Sequence, residues 1–165
     1  LFEFLCMLCY TIDKNQGIID AAHYKEVFVM IKIIMGLQGH GKTKQIIELA
    51  NRAIENESNC VVCIERGSKL TYDISHKVRL VDISSYPITS FERLKAFICG
   101  LYSGNFDISD IFIDSLFKVV KSDSIEETEN FLIWLDDFGK TNSINFTITI
   151  SADEARATDL IRKYF

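Results

Sequence analysis

The segment that most constrains this chain is Gly36-Leu37-Gln38-Gly39-His40-Gly41-Lys42-Thr43, set between an apolar run and an amphipathic one. Val27 to Met35 is nearly continuous in apolar residues, the pattern of a central parallel strand buried on both faces. Beyond it Ile46, Ile47, Ala50, Ala53 and Ile54 recur at helical spacing, with Asn51, Glu55 and Asn56 on the opposite face. The local structure implied is strand, glycine turn, helix. The eight residues also match the G-x-x-x-x-G-K-[ST] (Walker A) pattern in full.

Each part of that pattern has a physical role. Glycines permit positive φ and let backbone N–H groups curl around an anion without a Cβ in the way. A helix beginning near Gly41 points the positive end of its dipole at the same place. The expected ligand is therefore a nucleotide's phosphates, cradled by Gly36, Leu37, Gln38, Gly39, His40, Gly41, Lys42, Thr43 and Lys44. Lys42 is expected to reach the β- and γ-phosphates and Thr43 to place its hydroxyl on Mg2+. His40 is expected to turn its backbone to phosphate and its side chain to solvent. The plainer alternative is a turn that merely joins strand to helix; the Gly-Lys-Thr ending argues against it.

The rest of the chain alternates in the same way. Asn59–Glu65, Val78–Ile83, Ile111–Ile113 and Ile144–Ile150 read as further strands. Leu94, Phe97, Ile98 and Leu101 form the stripe of a helix entered at Ser90 and stopped near Gly104-Asn105. Ser124 with Glu127 is a capping box for a helix carrying Phe131, Trp134, Leu135 and Phe138, with Gly139 placed to end it. Ser151 with Glu154 is a second box before a last helix to Tyr164. Five strands alternating with helices predict an α/β fold of the P-loop NTPase kind, a mostly parallel five-stranded sheet with helices on both faces.

A phosphate-bound magnesium needs a carboxylate at the end of a neighbouring strand. Asp114, closing Asp110-Ile111-Phe112-Ile113, is the residue expected to serve. Ser115 follows it where a catalytic glutamate often stands, so Glu65 at the end of the second strand becomes the candidate general base, beside the alternative of a solvated turn residue next to Arg66. Asp82 is a further candidate. Arg66, Arg79, Arg93 and Arg156 are available to neutralise a transferring phosphoryl group, and Thr149 and Ser151 to sense it.

Composition narrows the rest. With 48% hydrophobic and 25% charged residues in 165, the chain reads as a globular domain, and a net charge of -5 supplies no general attraction to nucleic acid or anionic membrane. No apolar run has the length of a bilayer span. The five cysteines include two Cys-x-x-Cys pairs, Cys6/Cys9 and Cys60/Cys63; Val61-Val62 favours a strand that splays the second pair, so buried thiols in a reducing cytoplasm are expected rather than a metal knuckle. Residues 1–12 are apolar without periodicity, and Lys25-Glu26-Val27 is what the ribosome-binding sequence AAGGAGGT encodes in frame. The expectation is a natural start at Met30, with 1–29 an upstream extension or disordered tail and 30–165 the nucleotide-binding domain; the alternative is a real N-terminal helix packed on it.

With these residues in hand, the chain resembles a RecA/KaiC-type P-loop ATPase core, on Gly36 to Thr43, Glu65, Ile111 to Ser115 and a fifth strand ending at Ser151. From Met30 onward it is also similar to small, uncharacterised ATP-binding proteins of low-GC Gram-positive bacteria, some labelled twitching motility protein PilT. The shared residues are Met30-Ile31-Lys32-Ile33-Ile34, Lys69 to Ile74 and Ser151-Ala152-Asp153. The histidine-rich and acidic boxes of pilus-retraction ATPases have no counterpart here, and the segment matching the DNA-binding loops of recombinases holds just Lys118 and Lys121. The resemblance thus implies fold and nucleotide binding. The leading expectation is an ATP-binding protein, a slow Mg2+-dependent ATPase whose nucleotide state controls a protein partner or self-association. The alternatives are a small-molecule kinase, with residues 65–77 as its lid, and a non-catalytic interaction module. The absence of Asn-Lys-x-Asp favours ATP over GTP.

Overall fold

A computed structural model of the chain describes residues 30–165. The readings made on Cys6 with Cys9, on residues 1–12, on Lys25-Glu26-Val27, on a start at Met30 and on the first residues of the Val27–Met35 run lie outside the described residues.

The fold is α/β, built on five strands: β1 (Ile31–Gly36), β2 (Cys60–Glu65), β3 (Arg79–Asp82), β4 (Ile108–Ile113) and β5 (Asn145–Ser151). They lie in the order β1-β5-β4-β2-β3, and every neighbouring pair is parallel. The helices are α1 (Lys42–Ala53), α2 (Phe91–Gly104), the short α3 (Leu116–Val120), α4 (Ile125–Asn142) and α5 (Asp159–Arg162). No helix among the described residues is long and apolar enough to cross a membrane.

Chain direction explains the layering. From β1 to β2 to β3 the chain moves one way across the sheet; from β3 to β4 to β5 it moves back. Right-handed crossovers put the outward and return connections on opposite faces, and the buried residues divide accordingly. Ile46 and Ala50 of α1 pack with Val61, Cys63 and Phe112 on one face, joined by Leu70 and Val78 from the β2–β3 connection. Leu94 and Ile98 of α2, Leu116 and Val119 of α3, and Phe131 and Leu135 of α4 pack with Val62, Ile64, Ile111 and Ile148 on the other. Each fully buried Leu, Ile or Phe contributes about 1.5–3 kcal/mol of transfer free energy. On the second face Phe131, Trp134 and Phe138 stack in line along α4.

Four expectations need correction. The sheet is wholly parallel, not mostly so. Strands and helices do not alternate throughout: residues 66–78 join β2 to β3 without a helix, and a dozen or so residues are enough for a parallel crossover. This segment is held instead by the Asn51 side chain, which donates to the Asp73 carbonyl at 3.1 Å and accepts from Ser75 N–H at 2.8 Å. The box at Ser151 and Glu154 does not form. Asp153 caps a 3-10 turn over Glu154–Arg156, and Thr158 caps α5.

The fourth concerns Gly139, which does not end α4. The helix runs on to Asn142 and stops at Ser143, whose φ of 58° is left-handed. Gly139 is buried where the start of β5 crosses the helix: a Cβ there would meet the Ile144 carbonyl at 2.8 Å, Met30 Cβ at 3.2 Å and Phe146 Cε2 at 3.3 Å. A close backbone approach, not a left-handed turn, requires the glycine. Gly139→Ala is therefore expected to lower unfolding stability by about 1–3 kcal/mol, against its better helix propensity. Gly100→Ala in α2, where a Cβ meets nothing within 4 Å, is expected to raise it by about 0.5–1 kcal/mol. Urea unfolding of the two variants beside the parent chain checks both signs.

Candidate functional site

Because all five strands are parallel, their C-terminal ends share one edge, where open α/β sheets bind ligands. That edge carries most of the residues singled out from sequence. β1 ends at Gly36, paired with Ser151 at the end of β5; Glu65 ends β2, paired with Asp82 at the end of β3; Asp114 follows β4. Strand alternation turns Glu65, Asp114 and Thr149 toward the face that carries α1.

The glycine loop has the backbone its composition demands. Gly39 has φ of 90° and Gly41 of 73°, both in the left-handed region where a side chain is strained. α1 begins immediately after Gly41, with no side-chain cap and no acidic residue in its first turn. α2 and α4 differ: Ser90 and Ser124 accept from their first amides, and Glu92, Glu126 and Glu127 stand beside them. The leading N–H groups of α1 thus lack the acceptors that other helices of the chain supply for themselves.

Lys42 is buried, and its ammonium donates to the carbonyls of Gly36 and Leu37, each at 2.7 Å. Burial lowers its pKa; the Asp114 carboxylate opposes that, and the nearby Lys118 ammonium adds to it. Leu37, Gln38, His40 and Lys44 are exposed. The Lys44 ammonium stands 3.9 Å from Glu48 along α1, a surface pair of little energetic weight. Had Gly36 a Cβ, it would lie 3.7 Å from His40 Nδ1, so the imidazole folds back over the loop's first residue.

Asp114 is the point of convergence. Its Oδ1 accepts from the buried Thr149 hydroxyl at 2.9 Å and stands 3.5 Å from the Thr43 hydroxyl; its Oδ2 accepts from the Ser115 hydroxyl at 3.1 Å. Its own N–H donates to the Ile64 carbonyl at 2.9 Å, which locks it to β2. Ser115 is left-handed (φ 55°), and its N–H donates to Thr149 Oγ1 at 2.6 Å. A non-glycine residue held in that conformation costs about 1–3 kcal/mol, supplied by the surrounding bonds. Thr149, a candidate phosphate sensor from sequence, is fully buried and committed to Asp114 and Ser115.

Glu65 is not the solvated turn residue that was its alternative. It is 2% exposed, and its carboxylate accepts from Lys69 N–H at 3.1 Å and Leu70 N–H at 3.2 Å, which anchors the start of the 66–78 segment. Burial raises its pKa, those two amides oppose the rise, and Asp114 and Asp82 add to it. Asp82 instead accepts from Gly67 N–H and from Ser84 N–H and Oγ, which lowers its pKa.

Three of the four candidate arginines have structural partners. The Arg66 guanidinium donates to the carbonyls of Ile88 and Val119. Arg93 donates to Pro87 O at 2.7 Å and Arg156 pairs with Asp123 at 3.3 Å. Arg79 is exposed on β3, the edge strand farthest from β1. Cys60 and Cys63 lie on β2, where burial pushes the Cys63 thiol far up and Cys60 Sγ accepts from Asn105 Nδ2 at 3.3 Å.

Sequence reasoning missed the left-handed Ser115 and the helix α3 that follows it. The Asp-Ser pair was visible, but nothing in it signals positive φ. Comparison with protein-family models and with curated proteins finds no match to this chain.

The Glu65 environment gives a signed pH dependence. Its folded-state pKa lies above the ordinary 4.5, so between those values the folded chain binds a proton more tightly than the unfolded one. The stability this contributes is complete below the ordinary value and is lost as pH rises through the folded one. Relative to Glu65→Gln, the parent chain is expected to lose unfolding free energy as pH increases over that window. Urea titrations of both across the acid to neutral range measure the difference.

Proposed function

We propose that the chain is a P-loop protein of the RecA-like class that binds a nucleoside triphosphate, ATP with Mg2+, through Gly36–Thr43. The observation that carries the reading is the loop itself: two left-handed glycines lead into an uncapped helix start, with the Lys42 ammonium held on the loop's own carbonyls. In this reading the α1 amides bind the phosphates, and Lys42 exchanges its two carbonyl acceptors for phosphate oxygens.

The oxygen donors suit magnesium. The Thr43 hydroxyl and the Asp114 carboxylate stand side by side, and among the described residues no cluster of three or more His, Cys, Asp or Glu side chains forms a metal cage. Mg2+ is typically held in this way, by few protein oxygens together with water and substrate phosphates. Thr43 would hold it directly and Asp114 through water, and the bound ion would neutralise phosphate charge.

We further propose slow hydrolysis, with the nucleotide state acting as a switch on a partner or on self-association. The buried Glu65, with its raised pKa beside Asp114, is the candidate to orient water, although two backbone amides already occupy its carboxylate. A kinase lid over residues 65–77 gains no support, since Leu70 in the middle of that stretch is packed into the core beneath α1.

Titration calorimetry of the full chain with ATP, with and without Mg2+, tests the reading. The parent chain is expected to bind, and Lys42→Ala to bind at least about tenfold more weakly through loss of a charge-assisted contact. Thr43→Ala is expected to lose the benefit of Mg2+. A folded parent chain that binds neither ATP nor GTP contradicts it.

A further inference from the structure

We propose that Lys118 is a second cationic ligand for the terminal phosphate of the nucleoside triphosphate, placed across a crevice from the glycine loop. The inference rests on the phosphate-binding reading of Gly36–Thr43 and extends it to a residue that no motif marks.

Topology locates the crevice independently of any motif. β1 sends its connection over the α1 face, whereas β4 sends its connection over the opposite face, through α3 and α4. The two exits diverge, and in open parallel sheets such a reversal leaves a ligand-binding crevice at the strands' C-terminal ends. A cleft of about 420 Å³ lies there, lined by Leu37, Gln38, Ser115, Phe117, Lys118 and Ser151. One wall belongs to the loop after β1, the other to the turn after β4, and Ser151 from β5 lies between them.

Lys118 is suited to this cleft by what fixes its backbone and by what its side chain lacks. Leu116, Val119 and Val120 are buried, so the five-residue α3 is seated in the core with Lys118 on its exposed side. The Arg66 guanidinium holds the Val119 carbonyl, and Lys118 N–H donates to Ser115 O at 2.8 Å. Among the described residues the Lys118 ammonium has no ion pair and no hydrogen bond. Its charge is nonetheless felt at Lys42, where it adds to the lowering of that group's pKa.

None of the four candidate arginines lines this cleft. Arg66, Arg93 and Arg156 have the partners already described, and Arg79 lies at the far edge of the sheet. A nucleoside triphosphate carries one more phosphoryl group, and one more negative charge, than the diphosphate, and P-loop sites meet that terminal group with a cation beyond the loop lysine. Lys118 is the cation lining the crevice beside the loop.

The contrast between ATP and ADP tests this, measured by calorimetry with Mg2+ on the full chain and on Lys118→Ala, Lys118→Arg and Lys121→Asn. Lys121→Asn removes a neighbouring charge with a residue that tolerates the left-handed backbone at that position (φ 56°). Lys118→Ala is expected to weaken ATP about tenfold and leave ADP within about twofold, Lys118→Arg to keep the preference for ATP, and Lys121→Asn to match the parent. Equal losses for ATP and ADP in Lys118→Ala, or no loss for either, overturn the role of Lys118 while leaving the loop's role intact. A parent chain that binds neither nucleotide removes the phosphate-binding reading and this inference with it.

Discussion

Asp114 holds together parts of the chain that the sequence keeps far apart. Its carboxylate accepts from Thr149 of β5 and Ser115 of the turn into α3, and it faces Thr43 of α1. Its N–H is bonded to β2. The glycine loop is thereby fixed against the centre of the sheet rather than only against β1, which lies at the sheet's edge. Buried oxygens must be hydrogen-bonded or they cost stability, so this network leaves little freedom in where the first turn of α1 can sit. The strain at Ser115 belongs to the same arrangement: its left-handed backbone lets one residue both cap Asp114 and deliver its N–H to Thr149.

The sheet order has a second consequence. Outward connections on one face and return connections on the other separate the loop after β1 from the turn after β4, and the separation occurs where Asp114 stands. A proposed phosphate site on one wall and, on the other, a lysine without a partner among the described residues are then outcomes of chain direction. The long connection over residues 66–78 occupies the remaining space beneath α1, pinned by Glu65 at its start and Asn51 in its middle. The same burial that raises the Glu65 pKa places this carboxylate beside the site, so one side chain joins a structural duty to a candidate catalytic one.

Much of this was legible in the sequence because the decisive signals are local. The apolar runs of β1, β2 and β4, the stripe of α1 and the serine caps at Ser90 and Ser124 depend on neighbours within a few residues. Asp114 was legible as well, because a carboxylate closing an apolar strand has a fixed place once the strand is parallel. What escaped depends on distant contacts. Gly139 carries the composition of a helix stop, but its role is set by β5 crossing α4. Glu65 resembles a turn residue until the amides of Lys69 and Leu70 fold back onto it. Ser151 and Glu154 have capping-box spacing, yet β5 extends through Ser151 and Asp153 takes over the capping. Thr149 was named as a sensor from its place on β5, and its commitment to Asp114 required the pairing of β4 with β5.

The most direct test of the central claim is where a nucleotide touches the backbone. In 1H–15N spectra of the full chain, adding ATP with Mg2+ is expected to move the amide signals of Gly39, Gly41, Lys42 and Thr43 far more than those of β3 or the β2–β3 segment. Shifts confined to the outer edge of β1, around Lys32 and Phe165, or the absence of shifts in the 36–43 loop, would contradict the account.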